Sequence, residues 1–234
     1  MSEILKANEG KVEVIEVDGK KYQRLPIKTH VITDSDKIDE VVDKYAVEFL
    51  QDGDILFITE KIVACTQHRA IPMKDIKPRR LAVFLSRFVV KTPYGIGLAM
   101  PETMEMALRE CGTIRILFAA FISAIGKLFR RRGWFYKIAG EQARGIDGPT
   151  SGTLPPYNEY VVLTPAQPDK VAHELSEKIG FPVAITDIND IGGNILGYSG
   201  DQNDIERLVA ILKDNPLGQC HEQTPMGIIR EIEE

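Results

Sequence analysis

The chain has 234 residues, 44% apolar and 27% charged, with a formal net charge of −5. This suits a globular protein with a substantial core, and the acidic balance argues against a general nucleic-acid binder. Three widely spaced cysteines (Cys65, Cys111, Cys220) form no CxxC pair, which argues against a disulfide scaffold or structural zinc and points to a reducing compartment. The N-terminus MSEILKANEG lacks the apolar core of a signal peptide, so the expected location is cytoplasmic.

Residues 11–17, KVEVIEV, alternate polar and apolar and predict a half-buried strand. Asp18-Gly19 is a hairpin turn signal with a returning strand over 21–26. After a β-rich stretch over 27–33, Asp34-Ser35-Asp36 offers a helix cap. The helix expected over roughly 37–50 has Ile38, Val41, Val42, Tyr45 and Phe49 on its apolar face. Asp52-Gly53-Asp54 stops it, and ILFIT (55–59) is the clearest buried strand of the first half. Residues 60–69 either continue that strand or start a short helix. Residues 79–90 fit a helix, and the glycine-rich piece at 91–97 lacks the spacing of a phosphate loop. Pro101 opens the next helix and Gly112 stops it.

Residues 114–129, IRILFAAFISAIGKLF, are the most hydrophobic part of the chain and are too short for a membrane span, so a buried helix is expected. The basic residues that follow, six over 127–144 against one acid, alternate with aromatics. They fit anion binding or a solvated turn with one strand. Tyr160–Leu163 is a short strand, Asp169 caps a helix that Gly180 closes, Asp204–Leu212 is amphipathic, and Pro225–Arg230 gives a last strand. The irregular order of elements predicts an α+β fold with mixed sheets and flanking helices. A hairpin extension over 1–26 and one domain over 27–230 are the expected divisions.

Two segments carry the candidate chemistry. In FPVAITDINDIGGN (181–194) a short buried strand runs into a loop holding Asp187, Asp190 and Gly192. In Arg144-Gly145-Ile146-Asp147-Gly148 an aspartate lies between glycines, open to close approach. Either aspartate could be a plain turn residue. As a pair they suit Mg²⁺ or Mn²⁺, which take carboxylate oxygens and bridge them to phosphates. Lys61, Arg69 and Arg144 could offset phosphate charge.

Four segments resemble the coenzyme F420 gamma-glutamyl ligase family: DGDILFITEKIVACTQHR (52–69), GIDGPTSGTLPP (145–156), PVAITDINDIGG (182–193) and NPLGQCHEQTPMGIIR (215–230). The resemblance covers most of 27–230. It implies an α+β homodimer that uses GTP (or ATP) and a divalent metal to join an amino acid to a small-molecule acid through an acyl phosphate. By position it implies that Asp147 and Asp187 bind the metal; where the family has Thr after Asp187 this chain has Ile188, and Asp190 nearby is the candidate oxygen ligand in its place. Lys61 and Arg69 fall in the first of these segments and are the candidate catalytic residues, and Arg144, Gly145, Gly148 and Gly192, in or beside the two aspartate segments, are the candidate nucleotide-binding residues. The chain departs from the family pattern at Gln67, where the family has a carboxylate, at Ile188, where it has Thr, and in a shorter stretch between Gly193 and Asn215. Two other readings therefore stand beside the ligase. One is a non-catalytic relative that binds a phosphorylated small molecule or partner, and the other is membrane contact through 114–137. Neither nucleic acid nor a membrane is the expected partner.

Overall fold

The computed structural model describes residues 5–89, 97–129, 133–149, 153–189, 192–218 and 221–232. The chain forms two compact units, Met1–His68 with Pro165–Glu234, and Arg69–Thr164.

The first unit begins with strands β1 (Val14–Val17) and β2 (Lys20–Ile27), joined by Asp18 and Gly19 at φ 53° and 76°. Positive φ at both central residues makes the tight turn whose twist matches the strands. Helix α1 (Ile38–Tyr45), strand β3 (Ile55–Thr59) and helix α2 (Glu60–Thr66) follow. The second unit runs β4 (Ala70–Pro72), α3 (Arg80–Ser86), α4 (Pro101–Glu110), α5 (Thr113–Leu128), α6 (Trp134–Ala139), α7 (Glu141–Arg144) and β5 (Tyr160–Val162). The chain then returns to the first unit with α8 (Pro168–Ile179), β6 (Val183–Asn189), β7 (Gly192–Tyr198), α9 (Ile205–Leu212) and β8 (Met226–Ile232). The fold is α+β, as expected.

Six strands of the first unit form one sheet in the order β1-β2-β8-β3-β6-β7, in which β3 and β6 are parallel and the other neighbours antiparallel. Side chains alternate across a strand. Leu56 and Ile58 therefore join Val183 and Ile185 beneath α1 and α8, while Phe57 and Ala184 face Leu208 and Ile211 of α9. Burying each such aliphatic side chain contributes about 2 kcal/mol. Phe57 lies opposite Gly227 in the β3–β8 register, and a Cβ at Gly227 would come within 2.7 Å of the Phe57 ring. Only glycine leaves room for that ring in the sheet.

Among the described residues, the buried charged side chains are paired. Arg24 is fully buried, and its guanidinium donates to the Ile211 carbonyl at 3.0 Å, to the Asp214 carboxylate and to the Val12 carbonyl. Arg230 grips the buried Asp54 carboxylate with two bonds of 2.9 and 2.7 Å. Such two-pronged pairs fix geometry as well as charge.

In the second unit, β4 and β5 form a two-stranded sheet. Ala82 and Leu85 of α3, Met104 and Leu108 of α4, and Ile116 and Ala119 of α5 share one core. Buried Glu105 accepts from the Arg79 backbone N–H at 3.1 Å, from the Arg79 guanidinium at 3.0 Å and from Arg109 at 2.9 Å.

Several expected elements differ. The helix expected over 37–50 is α1 followed by a 3₁₀ turn at Val47–Phe49. Its N-cap is Lys37, and Asp36 instead accepts from the Thr33 N–H at 2.7 Å. Asp169 does not cap α8. Gln167 holds the N-cap position, and Asp169 lies in the first turn, where it accepts from the Tyr198 N–H at 3.3 Å. Residues 60–66 are helical, resolving that alternative, and 134–139 form α6 rather than a strand or turn. Helix α5 buries one stripe only. Ile116 and Ala119 face the core, while Ile114, Leu117, Phe118 and Phe121 are exposed. The helix is apolar on both sides, and the core meets only one of them.

Candidate active site

The first unit places two of the candidate groups at the carboxyl end of its parallel strand pair. Thr59 and Thr186 are in register as the last paired row of β3 and β6. Glu60 and Lys61 then begin α2, and Asp187 continues β6 by one residue. Alternation puts Asp187 on the face of Val183 and Ile185, the face that α1 and α8 cover. Below it, the Thr186 hydroxyl donates to the Ile58 carbonyl at 3.2 Å and is fully buried. The carboxyl ends of parallel strands are where open α/β sheets bind ligands, because loops diverge there while the strands stay fixed.

Asp187 was expected in a loop. It belongs instead to a strand that runs to Asn189 and turns back as β7, with Asp187 opposite Asn194 and Asn189 opposite Gly192. The hairpin gives the carboxylate a more rigid seat than a loop would. Asp190 lies outside the described residues. Lys61 and Asp187 are both half-buried.

The second unit holds the other candidates. Asp147 is half-buried and exchanges backbone hydrogen bonds of 2.9 Å with Val162. Val162 in turn pairs with Ala70, so β5 lies between the Asp147 segment and β4. Arg69, directly before β4, donates to the Thr164 carbonyl and to the Glu110 carboxylate, each at 2.5 Å. Its guanidinium thus ties β5 to α4. Arg144 is the last residue of α7 and pairs with Glu141 at 3.1 Å on the surface. Gly145 caps that helix with φ −83°, a conformation open to any residue, whereas Gly148 is buried. An open pocket of about 630 Å³ lies nearby in sequence, lined by Met73, Lys74, Pro155, Pro156, Asn158 and Tyr160. It includes the end of the GIDGPTSGTLPP segment.

The candidates therefore divide in two. Lys61, Asp187 and Gly192 belong to the first unit, and Arg69, Arg144, Gly145, Asp147 and Gly148 to the second. Among the described residues no three His, Cys, Asp or Glu side chains cluster as a ready metal cage. Asp147 and Asp187 each offer carboxylate oxygens, the donor type that Mg²⁺ takes beside phosphate and water.

Gln67 explains one departure from the family pattern. Its amide donates to the Ala166 carbonyl at 3.0 Å and accepts from the Ala166 N–H at 2.7 Å. A carboxylate could make only the second of these bonds.

One cluster was missed in the sequence. His30 lies 2.8 Å from the Tyr45 hydroxyl through Nδ1 and 2.9 Å from the Asp36 carboxylate through Nε2. Burial pushes the Asp36 carboxyl up, but bonds from the Thr33 N–H, His30 and the Thr33 hydroxyl outweigh it and hold it below the usual range. The only local signal was the Thr33–Asp36 spacing of a side-chain-capped turn.

A mixed six-stranded sheet with Asp187 just past the last row of its parallel pair, together with a helical unit, defines an α+β protein. The F420-0:gamma-glutamyl ligase family model matches residues 26–188, well over half of the chain, and the chain belongs to that family. Membership gives it a ligase-type activity at the level of the family. No curated protein matches it.

Proposed function

We propose that the chain is a nucleotide- and divalent-metal-dependent amide ligase that works through an acyl phosphate. The observation that carries this reading is the placement of Asp187 one residue past the clamped Thr59–Thr186 row, at the carboxyl end of a parallel pair. Family membership supports the reaction class. In the reaction, a carboxylate oxygen of the acid attacks the terminal phosphorus of GTP or ATP, and the nucleoside diphosphate leaves. The substrate amine then attacks the acyl carbon, expels phosphate and loses a proton. Asp147 and Asp187, with Asp190, would hold Mg²⁺ or Mn²⁺, which supplies charge neutralisation for the phosphates. Lys61 offsets phosphate charge beside Asp187. Arg69 acts by positioning, since its guanidinium is committed to Glu110 and Thr164. Arg144, Gly145, Gly148 and Gly192 are proposed to border the nucleotide, in a homodimer.

The test is thermal unfolding with GTP or ATP, with and without Mg²⁺ or Mn²⁺. A ligand at 100 times its dissociation constant stabilises by about 2.7 kcal/mol, which raises Tm by roughly 5–10 °C in a chain of this size. The shift should require metal and vanish in Asp187→Asn and in Asp147→Asn. Retention of the full metal-dependent shift in both variants would refute the assignment.

A second reading, a non-catalytic relative that binds a phosphorylated ligand, is favoured by Gln67. This residue makes a backbone clamp where the family pattern has a carboxylate. Turnover of nucleotide that depends on both an acid and an amine would exclude it.

A further inference from the structure

The second unit is charged oppositely to the rest of the chain. Residues 69–164 hold fifteen Lys and Arg against seven Asp and Glu, a net of +8, and the remaining residues hold fourteen against twenty-seven, a net of −13. Much of the basic excess falls in two stretches. Residues 76–101 contain Lys77, Arg79, Arg80, Arg87 and Lys91, and residues 111–140 contain six more basic residues, with no Asp or Glu in either.

Those two stretches also contain the exposed large apolar side chains of the unit. On α5, Ile114, Leu117, Phe118 and Phe121 recur at intervals of three and four residues and are 85, 41, 55 and 62% exposed. That spacing makes one stripe, opposite the buried Ile116 and Ala119. Phe129 follows at 67%. Phe84 on α3 and Phe88 just after it are 55 and 61% exposed and stack edge to face at 5.0 Å. Lys77, Arg80, Arg87, Arg115 and Lys137 are exposed in the same two stretches.

We propose that α5 and the Phe84–Phe88 segment dock on an anionic lipid surface. An apolar helix face rich in Phe, in stretches that carry exposed cations and no Asp or Glu, matches what an interfacial helix needs. The apolar stripe enters the acyl boundary while Lys and Arg meet lipid phosphates and carboxylates. The same patch of a second copy is a poorer occupant. A two-fold interface pairs a patch with itself and would set one basic face against another. Nucleic acid is also poorer, because Ile114 and Leu117 offer no stacking surface. No helix among the described residues is long and apolar enough to cross a membrane, so the contact is peripheral.

The experiment is cosedimentation of the full chain with phosphatidylcholine vesicles, with and without phosphatidylserine. Pelleting is expected only with phosphatidylserine and should fall as salt is raised. Arg87→Gln and Lys137→Gln should each weaken partitioning about fivefold. Phe118→Ser with Phe121→Ser should abolish it without lowering the unfolding temperature, because both side chains are exposed. Failure to pellet with phosphatidylserine at low salt, or equal pelleting without it, would overturn the proposal. So would a dimer in sedimentation that the Phe118/Phe121 double variant breaks, since the face would then belong to a second copy.

Discussion

The Thr186 hydroxyl donates to the Ile58 carbonyl across the parallel pair at 3.2 Å, one residue before the strand reaches Asp187. The bond is fully buried and locks the last paired row of β3 and β6. Thr186→Val keeps the shape and removes the donor, so the Ile58 carbonyl loses a partner. The expected cost is about 1 kcal/mol, read as a lower denaturation midpoint in urea. If the row only supports the carboxylate, the metal-dependent nucleotide shift should persist in this variant, in contrast to its loss in Asp187→Asn.

Gly227 and Phe57 cross closely in the sheet. A Cβ at Gly227 would sit 2.7 Å from the Phe57 ring and 2.9 Å from the Leu25 carbonyl oxygen. Gly227→Ala should therefore cost about 1–3 kcal/mol through overpacking. The ring is the softer obstacle, so Phe57→Leu combined with Gly227→Ala should cost less than the two single changes added together. A double-mutant cycle from urea unfolding measures that coupling. Strict additivity would mean that the backbone of β2, not the ring, is what excludes a side chain.

Elements set by local chemistry were legible in the sequence. ILFIT could only be a buried strand, Pro101 and Gly112 bracket α4 and its end, and Gly180 closes α8 with φ 78°. Elements that depend on a partner were not. Strand β7, GGNILGY, has three glycines and little propensity, and it exists because β6 offers a full edge. Helix α6, WFYKIA, is built from strand-favouring aromatics that pack against the core shared with α5. The same divide holds for the site. Asp147 and Asp187 stood out through neighbouring glycines and a preceding apolar strand. Joining His30 to Asp36 and Tyr45 required a loop geometry that no local pattern encodes.

Gln67 tests whether a departure from the family pattern is functional or structural. Its amide makes two bonds to the Ala166 backbone, and Gln67→Glu can keep only the one to the N–H, at 2.7 Å. The carboxylate would also face the Ala166 carbonyl, which now accepts from the amide at 3.0 Å. Restoring the family's acid should thus cost about 1 kcal/mol and leave the metal-dependent nucleotide shift no larger than in wild type. A gain in that shift would show that the site has room for a further carboxylate and that the clamp is incidental.

Glu105 sets the expected acid sensitivity of the second unit. Burial raises its carboxyl pKa, but the Arg79 backbone N–H and the guanidinium groups of Arg79 and Arg109 more than offset this and hold it below the usual range. A folded pKa below the unfolded value of about 4.3 means that the unfolded chain binds the proton more readily. The stabilisation is fully present above that value and is lost as pH falls through the folded pKa. Asp214, beside Arg24, is shifted in the same sense and reinforces the trend in the first unit. Glu105→Gln removes the charge while keeping the shape, and at neutral pH it should cost about 1.5–3 kcal/mol, the worth of hydrogen bonds to a charged group. The gap between wild type and variant should narrow as pH falls below about 4, because protonation then does to Glu105 what the substitution has already done. Urea midpoints across that range measure the gap directly. A constant gap down to acid pH would mean that Glu105 contributes through packing and not through its charge.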